Sequence, residues 1–148
     1  MSANRTGVYP CYENQFKINT STSGTAAMST IADCETFSVA FDNGVEEWHP
    51  FEQEGWVRRL LTAKGVTISV TAKRNISDTG NDFVAGLAWK NGRDAETDFE
   101  WSFPDGSKVT FADAVINVTN VGSGDSTNVG PLEFEVQSNG KPTYTPAA

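Results

Sequence analysis

Apolar and polar residues alternate along several stretches of this chain. In Glu35–Asp42, Phe37, Val39 and Phe41 share one face, and in Val66–Ala72, Val66, Ile68 and Val70 oppose Thr67, Ser69 and Thr71. Phe99, Trp101 and Phe103 alternate with Asp98, Glu100 and Ser102, and Leu132, Phe134 and Val136 with Glu133, Glu135 and Gln137. Successive side chains of a strand point to opposite sides. Each stretch therefore predicts a strand with one buried and one wet face, as antiparallel sheets favour. Weaker alternation predicts strands at Asn14–Ile18, Val45–Trp48, Trp56–Thr62, Lys108–Phe111 and Ala114–Val121. Lys64-Gly65 supplies a turn between two of them, and Pro104-Asp105-Gly106-Ser107 a hairpin loop.

One segment departs from this period. Between Asn81 and Gly92, the apolar residues Phe83, Val84, Leu87 and Ala88 fall at helical spacing. Asp78, Thr79 and Asn81 are N-cap candidates, and Gly92 stands where a residue beyond a helix end belongs. The predicted fold is an antiparallel β-sandwich or partial barrel with one short α-helix over about residues 81–91. Asn19–Thr30 and Gly122–Gly130 are rich in Ser, Thr and Gly, lack periodicity, and predict loops. A loop of that length inside a compact domain is uncommon and is usually functional or disordered. The expected organisation is a single domain over 1–148, with a flexible N-terminus (1–12), a long loop (19–33) and a C-terminal tail (139–148).

Composition adds limits. The chain has 148 residues, 38% of them hydrophobic, with nine Phe and four Trp to fill an interior. No apolar run approaches the roughly 18 residues that span a bilayer, and the first residues lack a signal peptide's apolar stretch. A soluble protein folded in a cytoplasm is expected. In that compartment Cys11 and Cys34 are free thiols by default, although a bridge between them stays open. His49 is the only histidine, with no second Cys or His nearby, so neither a metal nor a cofactor is expected.

The net charge of −8 argues against a conventional duplex-DNA binder, which needs a basic face. The charge is also blocked. Asp33–Glu54 holds seven acids and no Lys or Arg, Gly55–Arg93 seven bases against Asp78 and Asp82, and Asp94–Glu135 nine acids against Lys108. Such blocks suit complementary contacts between copies, or a plain solvated surface.

Catalytic signatures are thin. Asp78-Thr79-Gly80 matches the tripeptide of aspartic proteases, but that chemistry needs two carboxylates sharing a proton, and the preceding Asn75-Ile76-Ser77 is not apolar. A helix cap is the stronger reading. His49 has no G-x-S-x-G partner, and no phosphate-binding glycine loop occurs. Pairs such as Glu46-Glu47 mean little among so many acids. Core filling is the default for the aromatics, while Trp48, Trp56 and Trp89 lie near element ends and suit a subunit contact.

The run Gly55-Trp-Val-Arg-Arg-Leu-Leu-Thr-Ala-Lys-Gly-Val-Thr-Ile-Ser-Val-Thr-Ala-Lys-Arg-Asn75, followed by Asp78-Thr-Gly-Asn-Asp-Phe-Val-Ala85, resembles the tail tube (major tail) proteins of long-tailed phages of Gram-positive bacteria. Order, length and charge pattern agree from about Asp33 to Gln137. The resemblance implies a structural virion protein and no enzyme, made in the host cytoplasm and built into a tail tube. Six-membered rings would stack, with a continuous β-barrel as inner wall. Double-stranded DNA would pass through the lumen without specific binding. The partners would be further copies, the tape-measure protein and other tail proteins, with no membrane.

On that architecture Asp98, Glu100, Glu133 and Glu135 are candidates to line the lumen. Arg58, Arg59, Lys73, Arg74 and Trp56 are candidates for the subunit interface, and Thr22, Ser23, Gly24, Thr25 and Met28 for a loop between rings. The competing readings are a β-sandwich carbohydrate-binding or adhesin module, and a small hydrolase.

Overall fold

The computed structural model describes residues 6–21 and 25–147. It is an antiparallel β-sandwich, close to a partial barrel, with one α-helix among the described residues. The strands are β1 (Gln15–Asn19), β2 (Met28–Thr30), β3 (Cys34–Phe41), β4 (Gly44–Trp48), β5 (Arg58–Ala63), β6 (Val66–Lys73), β7 (Glu96–Ser102), β8 (Lys108–Val121), β9 (Pro131–Gln137) and β10 (Thr143–Thr145). The helix, α1, spans Thr79–Leu87. The main sheet runs β2-β1-β7-β8-β9-β6-β3, with β10 also on β8, while β4 and β5 pair only with each other.

Strand β8 makes one sheet into two layers. Its first half pairs with β7 and β10, and its second half with β9. The two predicted strands at 108–111 and 114–121 are thus one, interrupted by a bulge. Asp113 sits there at φ 51°. Val109 and Phe111 face inward before it, and Ala114, Ile116 and Val118 after it. One extra residue therefore shifts the alternation and bends the strand across the core. The layers meet through Phe37 of β3, which stands edge-on to Phe16 of β1 at 4.9 Å and Trp101 of β7 at 5.6 Å. Ile18, Ile68, Val70, Phe99, Leu132, Phe134 and Val136 fill the space between. These are the inward residues that the alternation marks.

Helix α1 closes one open side, packing on β1, β2 and β8. Asp78 is its N-cap: its carboxylate accepts from Asn81 N at 3.0 Å and from Ala32 N at 3.1 Å. The helix starts before the predicted Asn81 and ends at Leu87, with Ala88 as C-cap. Gly92, expected to close it, instead opens a 3-10 turn (Gly92–Ala95) at φ +60°. Two further differences come from pairing that composition does not reveal. The Ser/Thr-rich stretch contains β2, whose Thr30, Ser29 and Met28 pair with Lys17, Ile18 and Asn19. The C-terminal tail contributes β10, with Tyr144 opposite Val109.

Asn81 is fully buried and fully hydrogen-bonded. Its Oδ1 accepts from Asn75 N at 2.9 Å and Arg74 Nη1 at 3.0 Å, and its Nδ2 donates to Lys73 O at 2.9 Å and Ala32 O at 3.1 Å. Removing the amide strands these buried partners, so Asn81→Ala is expected to destabilise the chain by about 3 kcal/mol. For a chain of this size that lowers Tm by roughly 6–12 °C in a calorimetric scan. The helix glycines divide. A Cβ on Gly80 would lie 2.5 Å from Thr30 O, whereas one on Gly86 meets nothing within 4 Å. Gly86→Ala should therefore raise stability by about 0.5–1 kcal/mol, and Gly80→Ala should lower it by about 1–3 kcal/mol. Equal effects would refute the close approach.

Candidate functional site

Strands β3–β4 and β5–β6 form one long two-stranded ribbon. Asp42 N donates to Gly65 O at 2.8 Å across the break between its halves. The inner half belongs to the sandwich, and the outer half, β4–β5, projects beyond it as an arm. Trp48 pairs with Arg58, Glu47 with Arg59, Glu46 with Leu60 and Val45 with Leu61. Trp48 and Leu60 therefore share one face of the arm, and Val45 and Leu61 the other. No residue of either strand is buried.

The connection at the tip adds Phe51 and Trp56, whose relative exposures are 101% and 76%. A lone two-stranded ribbon is marginal in water, so few local contacts hold this one. Arg58 lies over the Trp48 ring at 5.8 Å. Arg59 Nε donates to Glu47 Oε2 at 2.8 Å, which holds that exposed carboxyl below its ordinary range.

The second surface is the wet face of the β3-β6-β9-β8 layer. Register places Ser38, Ser69, Glu135 and Asn117 in one row, and Thr36, Thr71, Glu133 and Asn120 in the next. Glu135 Oε1 accepts from Asn117 Nδ2 at 3.4 Å and Gln137 Nε2 at 3.3 Å, and Glu133 Oε2 from Asn120 Nδ2 at 3.5 Å. These donors are neutral, so they orient the carboxylates without cancelling their charge.

Asp98 and Glu100 point outward from the other layer. Asp98 Oδ1 accepts from Asp113 N at 3.0 Å. Glu100 lies opposite Lys17 across the strands, with Lys108 Nζ 3.5 Å away. The four lumen candidates therefore sit as two pairs on opposite outer surfaces.

The predicted interface cations are dispersed. Arg58, Arg59 and Trp56 are on the arm. Lys73 Nζ donates to Glu35 Oε1 at 2.9 Å. Arg74 binds Asp82 Oδ1 at 2.7 Å beside Asn81, as part of the helix anchor. The acidic and basic blocks of the sequence thus include neighbouring strands of one ribbon, and part of their complementarity is met inside the chain. Of the loop candidates, Thr25 is described ahead of β2 and Met28 opens that strand, while Thr22, Ser23 and Gly24 lie outside the described residues.

Sequence reasoning passed over Val45, Phe51, Leu60 and Leu61. The adjacent Leu60-Leu61 was the available signal, because two apolar neighbours in a strand give both faces an apolar residue. His49 and Trp89 are exposed. No group of three or more His, Cys, Asp or Glu residues suited to a metal ion is found among the described residues.

No family model matches the chain, and no curated protein matches it in sequence. Solved structures do share its fold. A chain from the tail of an empty GTA particle of C6 symmetry superposes with a TM-score of 0.71 at 18% identity, covering 94% of this chain and 100% of that one. One from the virion of a native gene transfer agent (GTA) particle gives 0.70 at 17%, covering 94% and 100%. A chain from the sheath/tube terminator of an extracellular contractile injection system in its extended state gives 0.60 at 10%, covering 95% and 99%.

Both cysteines are free thiols, Cys11 exposed and Cys34 half-buried. Cys34 Sγ donates to Ile31 O at 3.6 Å. Burial first, then the charges of Asp33 and Asp78, push its pKa from 9.0 up to about 12. A thiol-reactive chromophore at pH 8 should therefore label Cys11 rapidly and Cys34 only after unfolding. The folded pKa is raised, so the stability that Cys34 contributes is whole below pH 9 and is lost as pH rises toward 12. Denaturant midpoints of the wild type and Cys34→Ala across that range check the sign.

Proposed function

We propose that this chain is the structural subunit of a phage-type tail tube, assembling into stacked six-membered rings around a channel. The observation that carries the reading is the arm, with apolar side chains on both faces and its tip, and none buried. Exposed apolar surface of this kind marks a protein contact. Two-sided exposure calls for neighbours on both sides, as a ring or stack supplies. The fold shared with the GTA tail chain, from a tail of C6 symmetry, supports six as the ring number. Strands β2 and β3 end the sheet, and β3 offers eight residues of edge for a neighbour to extend. Arg58, Arg59, Lys73 and Trp56 lie on this same ribbon. Arg74 serves its own subunit.

The channel wall in this reading is the β3-β6-β9-β8 layer. It is built of Ser, Thr, Asn and Glu, with Lys73 at one end held by Glu35, and among the described residues no salt bridge reaches Glu133 or Glu135. Carboxylates a few ångströms from passing DNA lie within the Debye length of about 8 Å at physiological salt, so repulsion opposes adhesion. Asp98 and Glu100 then fall outside the lumen. The partners are further copies, the tape-measure protein and other tail proteins, and the place is the virion, after assembly in the host cytoplasm. No catalytic residue, cofactor or membrane enters this function. A carbohydrate-binding module is favoured by one observation, the exposed Trp48, Phe51 and Trp56 around the arm. Such a module stays monomeric and retards on a glycan column.

Negative-stain microscopy of concentrated protein should show rings about one subunit thick or tubes of even width. Monomers that bind glycan would overturn the reading. In assembled particles, Glu133→Lys with Glu135→Lys should leave the tube intact while DNA release slows, with recovery as salt rises. Both side chains on the outer surface of the assembled tube would defeat the wall assignment.

A further inference from the structure

The arm and the groove at its root are complementary to each other. The tip connection, 49–57, carries Phe51, Glu52, Glu54 and Trp56 and no Lys or Arg. Phe51 projects fully into solvent from a 3-10 turn (Phe51–Gln53), and Glu54 follows in the left-handed conformation at φ 53°. Where the arm leaves the sandwich, a groove of about 580 Å³ opens between the β5–β6 turn and the segment after β9. Phe41, Val66 and Pro142 line it, together with Ser138, Lys64 and Lys141. Lys64 Nζ stands 5.7 Å from the centre of the Phe41 ring, so the rim combines an aromatic face with an ammonium group. The carboxylate of Asp42, the residue after Phe41, accepts from Thr67 Oγ1 at 3.3 Å on the neighbouring strand. Among the described residues, no acid lines the groove itself.

We infer that the groove receives the arm tip of a second copy of this chain, with Phe51 seated against Phe41 and Val66, and Glu52 and Glu54 meeting Lys64 and Lys141. The occupant follows from charge and geometry. The tip is acidic with two exposed rings, of which Phe51 projects furthest, and the groove is apolar with two ammonium groups. Five residues of β4 at roughly 3.3 Å each separate the two by about 17 Å. An arm cannot fold back over that span into its own root without breaking the β4–β5 pairing. Two different surfaces of one chain make a heterologous contact, which propagates head to tail into rings or stacks and does not close as a dimer. The inference rests on the self-assembly reading and adds to it the residues of one contact.

Photo-crosslinking tests it directly. A benzophenone amino acid replacing Phe51 should yield crosslinked dimers whose peptides map to residues 62–66 or 138–142. Glu52→Lys with Glu54→Lys should cut the assembly rate by about tenfold, as should Lys64→Glu with Lys141→Glu, and all four changes in one chain should restore it. Circular dichroism verifies that each variant stays folded. Crosslinks elsewhere, with both charge variants assembling at the wild-type rate, overturn this contact and leave the tube reading standing. A wild-type chain that remains monomeric at high concentration overturns both.

Discussion

Three segments of chain meet at the Asn81 carboxamide, which makes four hydrogen bonds and is sealed from water. Ala32 belongs to the turn between β2 and β3, Lys73 and Asn75 to the exit from β6, and Asn81 itself to the first turn of α1. A buried amide tolerates no partial satisfaction, so these segments hold one relative position or lose several bonds together. The neighbouring contacts follow from it. Asp78 caps the helix and reaches Ala32, Arg74 joins Asn81 to Asp82, and Gly80 lets the helix touch the Thr30 carbonyl. Through β6 this anchor fixes one end of the ribbon whose other end is the arm.

The second constraint is the bent β8. A flat sheet of this order would leave its apolar face open to water. The bulge at Asp113 turns that face onto itself, so β3 comes over β1 and their phenylalanines touch. The bend also determines the electrostatics of the outside. Glu133 and Glu135 are carried to one outer surface among hydroxyl and amide side chains, and Asp98 and Glu100 to the other, where Lys17 and Lys108 attend Glu100.

The arm shows what the fold leaves unfinished. Its strands continue the pairing of β3 and β6, but the sandwich ends at Phe41 and Val66, and nothing among the described residues covers Val45, Leu60 or Leu61. Its ion pair and its cation–aromatic contact are exposed and contribute little to stability. On the proposed reading, the ribbon gains its energy by contact with other copies, and the charged, apolar root groove is the surface proposed to match it.

The sequence by itself determined most strands, most of their inward residues and the capped helix, because alternation and capping depend on neighbours a few residues apart. Phe41, placed inward by alternation with Phe37 and Val39, is exposed where the sandwich ends. Val66–Ala72 and Leu132–Gln137 are legible in this way, and so is the choice of Asp78 as a cap over any catalytic role. Tertiary structure alone decided the rest. Whether 108–111 and 114–121 are one strand depends on two different partners pairing with β8, and β2 and β10 exist only because β1 and β8 offer edges to short polar segments. The separation of the four acids into two surfaces came from the bend, which no local pattern encodes. The apolar face of β4 and β5 was visible as a strand signal, yet alternation marks only that a face seeks cover. Whether that cover lies in the same chain is a property of the whole packed molecule.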